Sequence, residues 1–133
     1  MSLTYLDASA VVKLFKPETE TAALRALLSE SESLVSTELV VVEARCAARR
    51  VDSRLLPLAE EVLATLQLIP FTRAIRDRAG AAFRQPLRAL DAVHAATALS
   101  AREDLGAVFV YDSELRSAIA AEGLPVASPG APT

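Results

Sequence analysis

Four acidic residues stand at the ends or on the packing faces of segments that are otherwise apolar. They are Asp7, Glu43, Asp91 and Asp112. Two carboxylates about 4 Å apart repel by about 4 kcal/mol at an effective dielectric near 20, so four that converge require protons or a cation. Oxygen ligands suit Mg²⁺ or Mn²⁺ better than zinc or copper. With such a metal the set predicts phosphodiester hydrolysis, because the metal activates a water and stabilises the leaving oxygen.

Two of these acids, Glu43 and Asp91, are predicted to lie on helices. Residues 90–99 read LDAVHAATAL, so Asp91 begins a run of helix-forming, apolar residues that should pack on several sides. Glu43 shares a helical face with apolar residues, where a carboxylate is unusual. We interpret both acids as functional. His94, one turn after Asp91, is more typical of a residue held by packing or by a backbone hydrogen bond than of a metal ligand.

Asp7 and Asp112 each follow a predicted strand. The two strands cover residues 4–6 and 107–111. In open α/β sheets, ligands bind beyond the carboxyl ends of the strands, so acids at these positions are well placed for chemistry. Aspartate is also a preferred N-cap of a helix, and the two roles are compatible. We therefore expect the four acids to converge near one edge of the sheet.

Predicted strands and helices alternate along the chain. Strands are expected at residues 4–6, 34–35, 68–71, 107–111 and 125–127. Helices are expected at residues 8–15, from a cap at Thr19, from a start at 36–38, at 55–66, from Thr72 to Phe83, from Leu90 to a stop at Leu105 and Gly106, and from Ser113 to Gly123. This order implies right-handed crossovers and helices on both faces of a parallel sheet. The predicted fold class is α/β: a three-layer α/β/α arrangement around a central parallel sheet of four to five short strands.

The length of 133 residues suits one domain, predicted over residues 1–128, with residues 129–133 as a mobile tail. No apolar run is long enough to span a membrane, and the first residues resemble neither a signal nor a transit peptide, so a cytoplasmic location is expected. Cys46 is the only cysteine, which excludes an internal disulfide and a cysteine zinc cluster. It is expected to be a buried thiol.

The charge of the chain limits how it could contact nucleic acid. A net charge of −3 argues against a broad basic surface. The densest basic group comprises Arg45, Arg49, Arg50 and Arg54. It is either a solvated helix face or a patch that contacts phosphate or a partner, and the sequence leaves both open.

The order of the segments that carry the four acids is specific. These segments are TYLDASAVVKL at residues 4–14, Glu43, LDAVHAATA at 90–98 and YDSEL at 111–115. Together they resemble the PIN-domain endoribonucleases, in particular the VapC-type toxins of toxin–antitoxin pairs. The resemblance extends over nearly the whole chain.

This resemblance implies an activity and a set of site residues. The chain would be a Mg²⁺- or Mn²⁺-dependent endoribonuclease, with RNA as substrate, a small cognate antitoxin as partner and a homodimer as its assembly. The catalytic and metal-binding acids would be Asp7, Glu43, Asp91 and Asp112, and Ser9 would support them by hydrogen bonding. The antitoxin would occupy an apolar groove around Val11, Leu14, Phe15, Leu24 and Leu39.

One position departs from the pattern of the family. The family often has Thr or Ser two residues before the last acid, where this chain has Val110. A hydroxyl that could hold a water or a carboxylate is absent there, which predicts weaker catalysis. The alternative interpretation is therefore a catalytically weak PIN-like module that binds RNA or protein.

Overall fold

Five parallel strands form the centre of the computed structural model, which describes residues 2–132. The strands are β1 (Leu3–Leu6), β2 (Ser33–Thr37), β3 (Gln67–Ile69), β4 (Leu105–Phe109) and β5 (Val126–Ala127). Their order in the sheet is β3-β2-β1-β4-β5, and every neighbouring pair is parallel. The predicted parallel sheet of four to five short strands is confirmed.

Helices cover both faces of this sheet. They are α1 (Ala8–Phe15), α2 (Thr21–Leu28), α3 (Val40–Val51), α4 (Leu56–Leu63), α5 (Arg73–Ala79), α6 (Ala89–Ser100) and α7 (Ser113–Ala121), with 3₁₀ turns at Ser53–Leu55 and Arg102–Asp104. Helices α1 to α4 supply the hydrophobic cluster on one face, and α6 and α7 supply the cluster on the other. The predicted three-layer α/β/α arrangement is therefore confirmed.

Side chains of the central strands alternate between the two clusters. In β1, Leu6 belongs to the α1–α4 cluster and Tyr5 to the α6–α7 cluster. At the end of β4, Phe109 faces the first cluster, while Val108 and Val110 face the second. A parallel strand buried on both faces has no polar side to present to water, which explains its continuous apolar composition.

Helices α2 and α3 begin at other residues than predicted. Glu20, not Thr19, is the N-cap of α2. Ser36 and Thr37 lie in β2, and α3 begins only at Val40. The hydroxyl of Ser36 donates to the carbonyl of Leu6 at 2.6 Å. It therefore forms a hydrogen bond with β1 instead of capping a helix.

The expected helix stop at Gly106 is wrong, since α6 ends at Ser100 and Gly106 lies inside β4. A Cβ at this position would stand 2.2 Å from the Oγ of Ser2, so glycine leaves room for the side chain of Ser2 beside β4. Helix α5 also ends early, at Ala79, and the expected helix does not continue to Phe83.

Cys46 is exposed, which contradicts the expected buried thiol. The buried stripe of α3 consists of Val40, Ala44 and Ala48, spaced four residues apart. Cys46 lies beside this stripe, and small alanines fill the space against the core instead.

The residues after β5 make specific contacts as far as Ala131, whose amide donates to the carbonyl of Ser128 at 3.0 Å. The hydroxyl of Ser128 donates to the carbonyl of Val110, and the hydroxyl of Tyr111 donates to the carbonyl of Pro129 at 2.7 Å. Mobility of residues 129–133 stays a prediction, and Thr133 lies outside the described residues. In the part of the chain that the structure describes, no helix is both long and apolar enough to cross a membrane.

Candidate functional site

Asp7 is the most deeply placed of the four acids, with an exposed fraction of 3%. It follows β1 and caps α1: its Oδ1 accepts from the amide of Ala10 at 3.0 Å and from the hydroxyl of Ser9 at 2.7 Å. Burial raises the pKa of Asp7, while nearby His94 and the Ser9 hydrogen bond oppose that rise. No donor among the described residues reaches Oδ2, so this oxygen is available to a ligand.

Asp91 and Asp112 lie near each other at the same edge of the sheet. Asp91 is in the first turn of α6 and is half-buried, whereas Asp112 is exposed and caps α7 by accepting from the amide of Leu115 at 2.9 Å. Burial raises the pKa of Asp91, and the charge of Asp112 raises it further, as does that of Glu43 to a smaller extent. The three carboxylates therefore lie within electrostatic range of one another.

Glu43 is held by a histidine. It is half-buried on α3, and its Oε1 lies 2.8 Å from Nε2 of His94. The other ring nitrogen of His94, Nδ1, lies 2.8 Å from the hydroxyl of Tyr5. His94 is buried, as expected, but its ring contacts two side chains and no backbone group is needed to satisfy it. Sequence reasoning did not identify Tyr5, and its only signal was a tyrosine two residues before Asp7 in a buried strand.

Ser9 connects the two segments that carry Asp7 and Asp112. Its hydroxyl donates to Asp7 and accepts from the amide of Tyr111 at 3.0 Å. The side chain of Val110 is fully buried in the α6–α7 cluster and does not face the acids. A hydroxyl thus bridges the ends of β1 and β4, but it comes from Ser9 in the first turn of α1.

The four acids lie near the carboxyl edge of the sheet but do not meet at a point. Within residues 2–132, no three side chains of the His, Cys, Asp and Glu types stand close enough together to hold one metal ion. The donor atoms of the four acids nevertheless suit a hard divalent cation. Each acid keeps at least one carboxylate oxygen that no described side chain or amide engages. The assignment of these residues as metal ligands stays a prediction.

An open groove of about 740 Å³ runs between α1 and α3 beside Glu43 and Ser9. We call it the α1–α3 groove. Its apolar lining consists of Ala8, Val12, Leu39, Val42, Ala47, Val51 and Leu90. Of the residues expected to form a partner groove, Val11, Phe15 and Leu24 are buried in the core, and Leu14 lines a different depression. Of the five residues, only Leu39 lines the α1–α3 groove, and its contact with a partner stays a prediction.

The basic residues near the site are largely paired with acids. Lys13 lies 3.1 Å from Glu20 and 4.7 Å above the centre of the Tyr111 ring. Arg45 pairs with Glu60 at 2.6 Å and Arg54 with Asp52 at 2.8 Å, whereas Arg50 lines the α1–α3 groove. Two of the four arginines of this group are therefore paired with acids, and Arg50 lies beside Glu43 in the groove.

Sequence comparisons relate nearly the whole chain to one group of proteins. The family model described as the PIN domain matches residues 4–119. Ribonuclease VapC35 of Mycobacterium tuberculosis is 38% identical over 132 residues, covering 96% of this chain and 98% of the relative. Ribonuclease VapC46 of the same organism is 36% identical over 129 residues, covering 97% and 99%.

Two solved structures share the fold. Mycobacterium tuberculosis VapC20, described as a toxin that cleaves the sarcin-ricin loop, matches with a TM-score of 0.72 at 14% identity, over 95% of this chain and 99% of that one. VapBC2 from Rickettsia felis, bound to a DNA fragment from its promoter, matches with a TM-score of 0.72 at 13% identity, over 96% and 98%. At such identities the likeness concerns the fold alone.

Proposed function

Because the chain belongs to the PIN-domain family and is similar over its length to VapC ribonucleases, we propose that it is a metal-dependent endoribonuclease. It hydrolyses RNA phosphodiester bonds and acts in the cytoplasm as the toxin of a toxin–antitoxin pair. The observation that supports this best is Asp7, a buried carboxylate at the carboxyl end of β1 whose hydrogen bonds to Ser9 and Ala10 both fall on Oδ1 and leave Oδ2 for a ligand.

The cofactor is Mg²⁺ or Mn²⁺, held by Asp7, Glu43, Asp91 and Asp112. When bound, such an ion supplies Lewis-acid stabilisation of phosphate oxygens and lowers the pKa of a water. The chain itself holds the carboxylate of Asp7 in one orientation. Ser9 and the amide of Ala10 fix its Oδ1, so the orientation of Oδ2 is fixed as well. Asp112 is exposed, so its carboxylate can contact an entering phosphate.

The proposed metal site predicts a thermal shift with Mn²⁺. At a Mn²⁺ concentration a hundred times the dissociation constant, binding stabilises the folded state by about 2.7 kcal/mol, which raises Tm by several degrees. Asp91→Asn is the matched control and is expected to lose most of this rise. Equal shifts for both proteins, measured by scanning fluorimetry, would contradict the site.

Incubation of partner-free protein with total cellular RNA and Mg²⁺, followed by mapping of the new ends, tests the activity. We expect cleavage at defined positions, abolished by EDTA. Binding of RNA without cleavage would instead favour the weak PIN-like binding module.

Val110→Thr is expected to destabilise the protein without increasing its activity. The side chain is fully buried among apolar residues, so an added hydroxyl is desolvated there at a cost of about 1–3 kcal/mol. Urea unfolding and RNA cleavage at subsaturating Mg²⁺ measure the two effects. Faster cleavage by this variant would show that the family's usual hydroxyl is needed and that Ser9 does not replace it.

The partner is a small antitoxin protein whose apolar segment occupies the α1–α3 groove, next to the acids. Val42, Val51 and Leu90 expose apolar surface there, which suits an amphipathic segment. An arginine of that segment can pair bidentately with the carboxylates. We also propose that the toxin is a homodimer.

A further inference from the structure

A buried chain of three side chains connects the central sheet to Glu43. Tyr5 is fully buried on β1, and its hydroxyl lies 2.8 Å from Nδ1 of His94 on α6. Nε2 of His94 lies 2.8 Å from Oε1 of Glu43 on α3. Helices α3 and α6 belong to opposite faces of the sheet, so this chain joins the two faces at the edge that carries the acids.

The donor and acceptor of each of these hydrogen bonds follow from the groups at the two ends of the chain, Glu43 and Tyr5. An ionised glutamate only accepts, so Nε2 of His94 must carry the proton that it shares with Glu43. In the neutral ring, Nδ1 is then an acceptor, and the hydroxyl of Tyr5 donates to it. Burial keeps Tyr5 protonated by raising its pKa far above the usual range. The amide of Thr37 donates to the tyrosine oxygen at 3.3 Å, which leaves the hydroxyl proton for the ring.

We propose that Tyr5 and His94 are positioning residues: Tyr5 fixes the Nε2–H tautomer of His94, and His94 holds Oε1 of Glu43 so that Oε2 stays available to a metal ion. Neither residue touches substrate. The part of this proposal that concerns metal rests on the proposed function, whereas the tautomer is a property of the fold and is measured separately.

The ring of His94 gives a direct readout, because it is the only histidine in the chain. In ¹⁵N NMR spectra recorded in mildly alkaline buffer, we expect a protonated Nε2 and an unprotonated Nδ1. Tyr5→Phe removes only the hydroxyl and is expected to shift the ring toward a mixture of tautomers. Tyr111→Phe is the matched control, since the hydroxyl of Tyr111 contacts Pro129, and it should leave the ring spectrum unchanged.

Affinity for Mn²⁺, measured by calorimetry, tests the effect on Glu43. Loss of an outer hydrogen-bond partner typically weakens metal binding about 10–100-fold, and we expect a loss in this range for His94→Ala. His94→Gln offers an amide donor to Glu43 and should recover part of the affinity. Tyr5→Phe should weaken binding less than His94→Ala, and it covers the case in which the alanine variant does not fold.

Two results would overturn the proposal: a wild-type ring protonated on Nδ1, or a ring spectrum and Mn²⁺ affinity that Tyr5→Phe leaves unchanged. Failure of the proposed function is a different result. In that case the ring shows the expected tautomer and responds to Tyr5→Phe, yet the wild-type protein neither binds Mn²⁺ nor cleaves RNA, which removes the metal-positioning role and keeps the tautomer.

Discussion

Asp7→Asn is expected to reduce RNA cleavage by about 10²–10³-fold, the loss typical when one electrostatic group of an active site is removed. Asparagine keeps the side-chain oxygen that caps α1 and is as good an N-cap as aspartate. It removes the charge that the proposed metal requires. The variant should therefore fold normally and lose function, as shown by cleavage of the mapped RNA sites.

The stability of the same variant separates the catalytic role of Asp7 from its structural one. Because burial raises the pKa of Asp7, its ionised form disfavours folding above the folded-state pKa. This penalty is lost as pH falls through that pKa toward the value in the unfolded chain. In metal-free buffer, Asp7→Asn should have a urea midpoint equal to or above that of the wild type at neutral pH, with a smaller difference in acid.

Asp7→Ala is the comparison variant, because it removes the cap as well as the charge. It should be less stable than Asp7→Asn by about 1 kcal/mol, the usual cost of losing an N-cap. If Asp7→Asn keeps its activity while its stability falls by several kcal/mol, Asp7 is a structural residue.

The fold was predictable because local and global signals agree in this chain. The continuous apolar composition of β4 and the acids that follow β1 and β4 were sufficient to predict a parallel sheet and a shared edge. The boundaries of the helices were less predictable, because the same residue type can serve two different structural roles. Ser36 could cap a helix but bonds to the sheet, and Gly106 could end a helix but leaves room for the side chain of Ser2.

The sequence identified the four candidate acids but not the residues that hold them in place. Tyr5 and His94 are 89 positions apart, so only the fold brings them together. Similarly, helical spacing identified an apolar side of α3 but not which of two adjacent stripes faces the core. The choice of Ala44 and Ala48 leaves Cys46 exposed and opens the α1–α3 groove next to Glu43.

Co-expression with the product of the adjacent reading frame is expected to yield a complex without RNase activity. A ribonuclease that cleaves cellular RNA arrests growth, so expression of the chain alone should stop cell division and the partner should restore it. Asp7→Asn should be tolerated without the partner, and it allows the complex to be purified from healthy cells.

The α1–α3 groove determines which surface change should break this complex. Val42 is 60% exposed within the groove, and Val42→Glu would place a charge against an apolar partner segment. We expect affinity to fall about tenfold or more, since each 1.4 kcal/mol of desolvation cost corresponds to a factor of ten. Leu68→Glu, at a residue 40% exposed on β3, is the matched control and should bind normally. Equal affinities for the two variants would exclude the groove as the binding surface.

A wild-type protein that purifies alone in high yield as a monomer, and does not bind the neighbouring product, would exclude the toxin role and leave the assignment of the PIN fold unaffected.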